Sequence, residues 1–252
     1  EITSCFPELA HIIWQINRPC ILDGELVIAG TKHFQDLAFL IQRSQYNRQL
    51  LIENAAKAAP ATFIASDILE LDGQPTMETP LAERKALLDW NIRTRNIKLM
   101  VAKMVREYGV WFFEWTIRLG LDGIIAKDMF SFYKPGAETN KWQSILNYQT
   151  AALNIYGYIQ APRQNAIKLV LGKPARFGAP TLCGHVKTTD GTQITALKSF
   201  PTTDKHPFEK RPPNGYDTAC WLQNVLKCEV NHLNHVGQFL RNVKLKHIEA
   251  LC

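Results

Sequence analysis

The 252-residue chain is predicted to fold as an α/β domain over residues 1–148 followed by a small antiparallel all-β barrel over residues 149–252. Three observations predict it. Residues 1–150 alternate strand-like with helix-like segments. From about Tyr148 the texture changes to short apolar runs punctuated by Gly, Pro, Asn and Asp, which is the spacing of a small barrel. The charge changes at the same place. Residues 1–150 carry 16 Lys+Arg against 17 Asp+Glu, a net of −1, and residues 151–252 carry 13 against 6, a net of +7. A basic module beside a neutral one suits a phosphate-backbone clamp, with plain solubility charge as the competing explanation.

The elements follow in order. Ile21 to Ile28 and Thr62 to Leu69 read as strands. Phe34 to Arg43 has apolar residues at 34, 37, 38, 40 and 41, one face of a helix. Thr79 and Pro80 predict a helix start, with Thr79 as N-cap and Pro80 in the first helical position, running through Leu81, Leu87 and Leu88. Ile97 to Tyr108 predicts another helix, ended by Gly109 as its C-cap. A strand over 122–127 comes next, with Ile124 and Ile125 in its core. The later runs Leu153 to Ile159, Ile167 to Leu171, Leu182 to Val186 and Val225 to Val230 predict the barrel strands. Phe200 to Asp217, rich in Pro, Thr and Lys, predicts a long exposed loop.

Composition narrows the class. An apolar fraction of 46% fits an ordinary globular protein. No apolar run reaches the 18 or so residues of a membrane span, and no signal-peptide pattern opens the chain, so no membrane partner is expected. Six cysteines without a Cys-x-x-Cys pair suggest reduced thiols in a cytosol. Cys228, His232 and His235 lie in a strand-like run, where positions three apart face opposite ways, so packed or solvated side chains are the better reading than zinc.

Chemistry is concentrated at Leu121-Asp122-Gly123-Ile124-Ile125-Ala126-Lys127, preceded far upstream by Asp23-Gly24-Glu25 and followed by Trp142. An acidic residue, Gly, three apolar residues and Lys make a strand that presents a carboxylate and an ammonium at one pocket. That pair suits a nucleotide phosphate with a divalent metal. Each piece alone is an ordinary turn or a surface charge; the order and spacing carry the signal.

That order resembles the covalent nucleotidyltransferases, most closely the ATP-dependent DNA ligases of bacterial end joining. Phe6-Pro7-Glu8-Leu9 before Ile21 to Val27 resembles the lead into the family's third motif. Phe63 to Leu69, then Asp72-Gly73, Pro80-Leu81 and Glu83-Arg84, resembles the next motif and its helix. Asp122 to Lys127 is similar to the fourth motif, and Tyr133-Lys134-Pro135-Gly136 to Lys141-Trp142 to the approach to the fifth. Cys228-Glu229-Val230 and Gly237 to Arg241 resemble the last strands of the family's OB domain.

The resemblance implies an N-terminally incomplete α/β nucleotidyltransferase domain of the ATP-grasp-like adenylation type, followed by an OB-fold barrel. It implies a DNA ligase that seals nicks or breaks in DNA repair through a lysyl-AMP intermediate, with ATP and Mg2+ as cofactors. Its partners would be duplex DNA with nicks or ends and end-joining repair proteins, in a bacterial cytoplasm at the nucleoid. Glu25 would contact the ribose, Asp122 would face the metal, and Lys127 would contact the AMP phosphate. Ser66 and Ser144 occupy cofactor-binding positions. Arg241, Lys244 and Lys246 would meet DNA, with Lys244 and Lys246 on one strand face.

The chain also departs from the family's pattern. No Lys-x-Asp-Gly nucleophile lies between Glu1 and Asp23, so the adenylating lysine is expected outside these residues. Ser66 replaces the aromatic that stacks on adenine. Asp122 is one methylene shorter than the family's glutamate. Ser144 and Leu146 replace lysines after the tryptophan, and Glu249 stands where an arginine is expected. The alternative is therefore a catalytically retired, ligase-like DNA-binding or repair-scaffold protein. An RNA ligase or capping enzyme of the same fold is a third reading, disfavoured by the resemblance of Trp221 to Arg241.

Overall fold

The computed structural model describes residues 1–28, 35–93, 97–160, 165–233, 235–236 and 238–249. The chain divides into two compact units. One comprises Glu1–Leu119 with Gly123–Ile145, and the other Gly120–Asp122 with Leu146–Cys252.

The first unit is built on strands β1 (Cys20–Ile28) and β2 (Ala61–Leu71), paired antiparallel with Asp23 opposite Asp67 and Glu25 opposite Ile64. Helices α1 (Gln35–Arg43) and α2 (Gln49–Ala58) connect them. Phe34, the predicted first residue of α1, lies outside the described residues. A two-residue turn with Asp72 and Gly73 both at positive φ folds β2 onto β3 (Gln74–Pro75), the backbone that an Asp-Gly pair favours. Two apolar clusters fill this unit. One gathers Phe6, Ile28, Leu40 and Ala61, and the other Ala65, Ile68, Leu88, Ile92 and Leu99. Beside the first, the fully buried Arg43 pairs with Glu8 at 2.6 Å, and Glu8 also accepts the Ala61 amide. The two partners satisfy each other away from water, as buried charges must.

Three sequence expectations are corrected here. The first helix after β3 is α3 (Leu81–Asn91), and Pro80 precedes it as the cap residue without a side-chain cap. Thr79 does not cap it, because carbonyls of Ser131 and Met129 accept from the Leu81 and Ala82 amides. These satisfy the donors that a helix start leaves over. The predicted helix over Ile97–Tyr108 is instead β4 (Leu99–Val101), parallel to β2, and α4 begins at Gly109 and runs to Arg118. Leu99 is fully buried opposite Phe63, so a place in the sheet core overrode helical spacing. Finally, β5 (Gly123–Lys127) pairs with β6 (Trp142–Leu146) in a two-stranded ribbon. Ile125 is 59% exposed there and is not a core residue.

The second unit is an antiparallel sheet. Its strands are β7 (Gln149–Gln160), β8 (Ile167–Lys173), β9 (Thr181–Thr188), β10 (Thr202–Thr203) and β11 (Ala219–His232), in the order β10-β11-β7-β8-β9. After the short pair β12 (His235–Val236) and β13 (Phe239–Leu240) comes β14 (Lys244–Ile248), which adds to β11. The predicted strands all appear. Among the described residues no ladder joins β9 to β14, so the six-stranded sheet is not seen to close into the expected barrel, although these two strands line a common cleft. One face packs Leu153, Ile155, Leu169 and Val230, and the other packs Tyr156, Val170, Phe208 and Trp221. Phe208 corrects the picture of residues 200–217 as wholly exposed: it is buried edge-on to Tyr156 and Trp221. A helix absent from the sequence reading, α5 (Gly191–Lys198), follows β9, with Asp190 accepting from the Thr192 and Gln193 amides.

Candidate active site

The chemistry of the first unit gathers around the middle of β1 and β2. Gly24 allows their close approach: a Cβ there would lie 2.3 Å from the Ile64 carbonyl oxygen. The register shifts between Asp23 and Gly24, and the Ser66 hydroxyl donates to the Asp23 carboxylate at 3.2 Å. Opposite Asp23, the fully buried Asp67 receives the fully buried Arg84 of α3 through two bonds of 2.9 Å. Arg84 also donates from Nη1 to the carbonyls of Thr79 and Ser131. A bidentate pair with further bonds to nearby carbonyls is the form in which a buried ion pair is tolerated.

Lys127 closes this cluster from the end of β5. Its Nζ lies 3.7 Å from the centre of the Trp142 ring, a cation held against an aromatic face. Trp142 is oriented by donating its Nε1–H to Ser131 at 3.0 Å and by the edge of Tyr133 at 5.5 Å between ring centres. Burial pushes the Lys127 ammonium below the ordinary lysine value; Asp67 partly offsets this, and Lys85 adds to it. Lys85, on α3, is likewise lowered, first by its own burial. Burial pushes the Tyr133 phenol up, reinforced by the charge of Asp23, with which it shares a hydrogen bond. Three cations, Arg84, Lys85 and Lys127, thus gather with Asp23 and Asp67, and Asp89 acts on Lys85 as well. A half-buried cluster of cations such as this suits an anion such as a phosphate.

The predicted site residues divide. Lys127 joins the cluster, and Ser66 borders it through Asp23. Glu25 is exposed opposite Ile64, and Ser144 is exposed on β6. Asp122 belongs to the second unit, where Arg241 approaches its carboxylate at 2.7 Å. Lys244 and Lys246 share the exposed face of β14, but Lys246 pairs with Glu229 at 2.8 Å and Lys244 lies over the Tyr148 ring at 4.6 Å. Asp67, Arg84 and Lys85 escaped the sequence reading as site residues. Their signal was Asp67 itself, a charge inside the apolar run Phe63 to Leu69, which cannot be buried without a partner.

The residues present fit a nucleotide phosphate better than the other groups expected. At Ser66 no aromatic face is available to an adenine, and its hydroxyl is given to Asp23. For the metal, the Asp122 carboxylate is met by a guanidinium, and among the described residues no group of three or more His, Cys, Asp or Glu is arranged to hold an ion.

The profile of the ATP dependent DNA ligase domain matches residues 1–145. The SPbeta prophage-derived DNA ligase-like protein LigB of Bacillus subtilis (strain 168) is 24% identical over 234 residues, covering 92% of this chain and 75% of that protein. DNA ligase C of Mycobacterium tuberculosis is 32% identical over 226 residues, covering 82% of this chain and 61% of that protein. The chain spans only 27% of the matched DNA ligase 1 of Methanosarcina mazei. A solved structure from a study of Lig E DNA ligases, titled as DNA binding with a minimal scaffold, shares the fold, with a TM-score of 0.55 over 90% of this chain and 76% of that one at 12% identity.

Proposed function

This chain belongs to the family of ATP-dependent DNA ligase domains, and from that premise we propose that it takes part in sealing nicks in duplex DNA. In the proposed reaction AMP passes from a lysine to the 5′-phosphate at a nick. The neighbouring 3′-hydroxyl then attacks that phosphate. A new oxygen–phosphorus bond forms to the 3′ oxygen, the bond to AMP breaks, and the hydroxyl proton leaves. Negative charge gathers at phosphorus throughout, so fixed cations accelerate the step.

The observation that carries this reading is the half-buried gathering of Lys127, Lys85 and Arg84, with Lys127 held over the Trp142 ring. Lys127 is assigned to the AMP phosphate, with Lys85 beside it and the Asp67–Arg84 pair holding the scaffold. Glu25 is assigned to the ribose, and Ser66 and Ser144 border the nucleotide. DNA repair in a cytoplasm is the setting this chemistry implies.

A duplex already carrying AMP on the 5′-phosphate of its nick tests the reading without the family's nucleophilic lysine, which residues 1–22 do not supply. Incubated without ATP in buffer containing Mg2+, the chain is expected to seal that nick. Lys127→Ala should slow sealing by roughly 100-fold or more, as removal of a single transition-state donor does. The same chain should take no label from α-labelled ATP. Binding of the adenylated duplex without any sealing would instead identify a retired DNA-binding relative.

A further inference from the structure

Lys127 is the one charged residue in the sequences of β5 and β6, and it comes to rest half-buried. Burial, Lys85 and Arg84 all favour its neutral amine. The two carboxylates that act against them already have partners. Asp67 takes two bonds from Arg84, and Asp23 takes one from Ser66 and one from Tyr133. The group that lies against the ammonium is the Trp142 ring, with 3.7 Å from Nζ to the ring centre. An indole face carries partial negative charge and attracts a cation. It has no comparable attraction for a neutral amine.

The ring is fixed by its surroundings. Its Nε1–H donates to the Ser131 hydroxyl at 3.0 Å, and that hydroxyl donates in turn to the Asp128 carbonyl at 2.6 Å. The Ser131 carbonyl accepts from Arg84 and from the Leu81 amide, so the indole is tied to the start of α3, which brings Arg84 and Lys85 to the cluster. The Tyr133 edge meets the ring at an interplanar angle of 74°, and the Arg84 guanidinium carbon lies 5.9 Å from the Tyr133 ring centre. An aromatic face differs from a carboxylate in one respect that matters at an anion site: it holds the ammonium without neutralising it. The positive charge, and the N–H donors directed away from the ring, remain for an anion.

Resting on the ligase reading above, we propose that Trp142 is a positioning residue for the sealing reaction: its ring face keeps the Lys127 ammonium charged and in place for the phosphate oxygens of the adenylated end. Trp142 touches no reacting atom and acts through Lys127. Without the ring, burial and the two neighbouring cations would drive that ammonium toward its neutral form. The charged form is the one the ring favours, so weakening the ring lowers the pH at which Lys127 gives up its proton.

Tryptophans of increasing fluorine content placed at position 142 of the full chain test this, because fluorine withdraws electron density from the ring face and barely alters its shape. The first readout needs no ligase activity: trace acetylation of the lysines across a pH series, with the Lys127 peptide followed by mass spectrometry. The pH at which Lys127 becomes half-reactive should fall step by step with fluorine content, by about one pH unit at the most fluorinated ring, the size expected of a cation–π contact in a desolvated site. Trp142→Leu should lower it as far, and Trp142→Phe, which keeps a ring, by roughly half as much or less. The fluorinated chains should share one thermal midpoint, and they decide the matter if Trp142→Leu does not fold. The second readout is single-turnover sealing of an adenylated nick, whose alkaline limb should descend in parallel while the rate below that limb stays unchanged. A half-reactive pH indifferent to fluorine overturns the proposal and leaves the ring a packing element. A thermal midpoint that falls with fluorine while the half-reactive pH stays put has the same meaning. A falling half-reactive pH in a chain that seals no adenylated nick sinks the ligase reading and keeps the hold of Trp142 on Lys127. Sealing with Lys127 unmoved sinks the role of Trp142 alone.

Discussion

Lys127 and Lys85 are two ammonium groups whose charge the surrounding protein makes hard to keep. Burial acts first on each, Lys85 adds to the depression of Lys127, and Asp67 partly offsets the shift of both. Removing the charge at position 85 while keeping an apolar chain of similar length should let Lys127 hold its proton to higher pH. In Lys85→Met the alkaline limb of the pH–rate profile for sealing an adenylated nick is therefore expected to move upward. A limb that stays in place or moves down would show that Lys85 does not act on Lys127. Lys127 was legible in the sequence because its motif is continuous. Lys85 was not, because it comes to the site on α3, far along the chain from β5, and a lysine on a helix reads as a solvated charge. Asp122 was legible as a motif residue, yet its place beside Arg241 depends on a contact between segments that sequence spacing does not encode.

At the scale of elements, the β1–β2 pair depends on the absence of a side chain at Gly24. A methyl there would collide with the Ile64 carbonyl and the Phe63 ring, so the strands would have to part at the bulge that positions Asp23. Gly24→Ala should lower stability by about 1–3 kcal/mol, the usual range for overpacking, measured as a shift of the urea midpoint. An unchanged midpoint would mean that the bulge relaxes freely. The strands were readable because their alternation matches a sheet with two packed faces: Ile167, Leu169 and Leu171 on one side of β8, Lys168 and Val170 on the other. The segment Leu99-Met100-Val101 was misread because three residues carry too little period to oppose a helical pattern, and the parallel ladder with β2 decides it. Helix α5 was missed because it is short and buries only Leu197. Asp190 followed three residues later by Gln193 is a spacing known from helix starts, and it was the available clue.

Across the whole molecule, stability should fall at high pH for a reason located at Cys228. Burial first, and then the charge of Glu249, push this thiol from 9.0 up to about 12. The folded value lies above the unfolded one, so the folded chain keeps a proton that the unfolded chain releases between those two values. The corresponding stability is fully present below pH 9 and is lost as pH rises toward 12. Urea midpoints measured upward from pH 8 should decline beyond pH 9, and Cys228→Ala should flatten that decline; an equally steep decline in the variant would place its origin elsewhere. The first amides of α3 have a consequence for the molecule as it is made. Their acceptors, the carbonyls of Met129 and Ser131, come after β4, α4 and β5 in the chain. Fixing that turn needs a non-local contact, with the loop closure that precedes one. On a ribosome, the helix therefore waits with a loose beginning until a much later stretch has been synthesised, and Arg84 in its first turn gains its bond to the Ser131 carbonyl only once that stretch arrives.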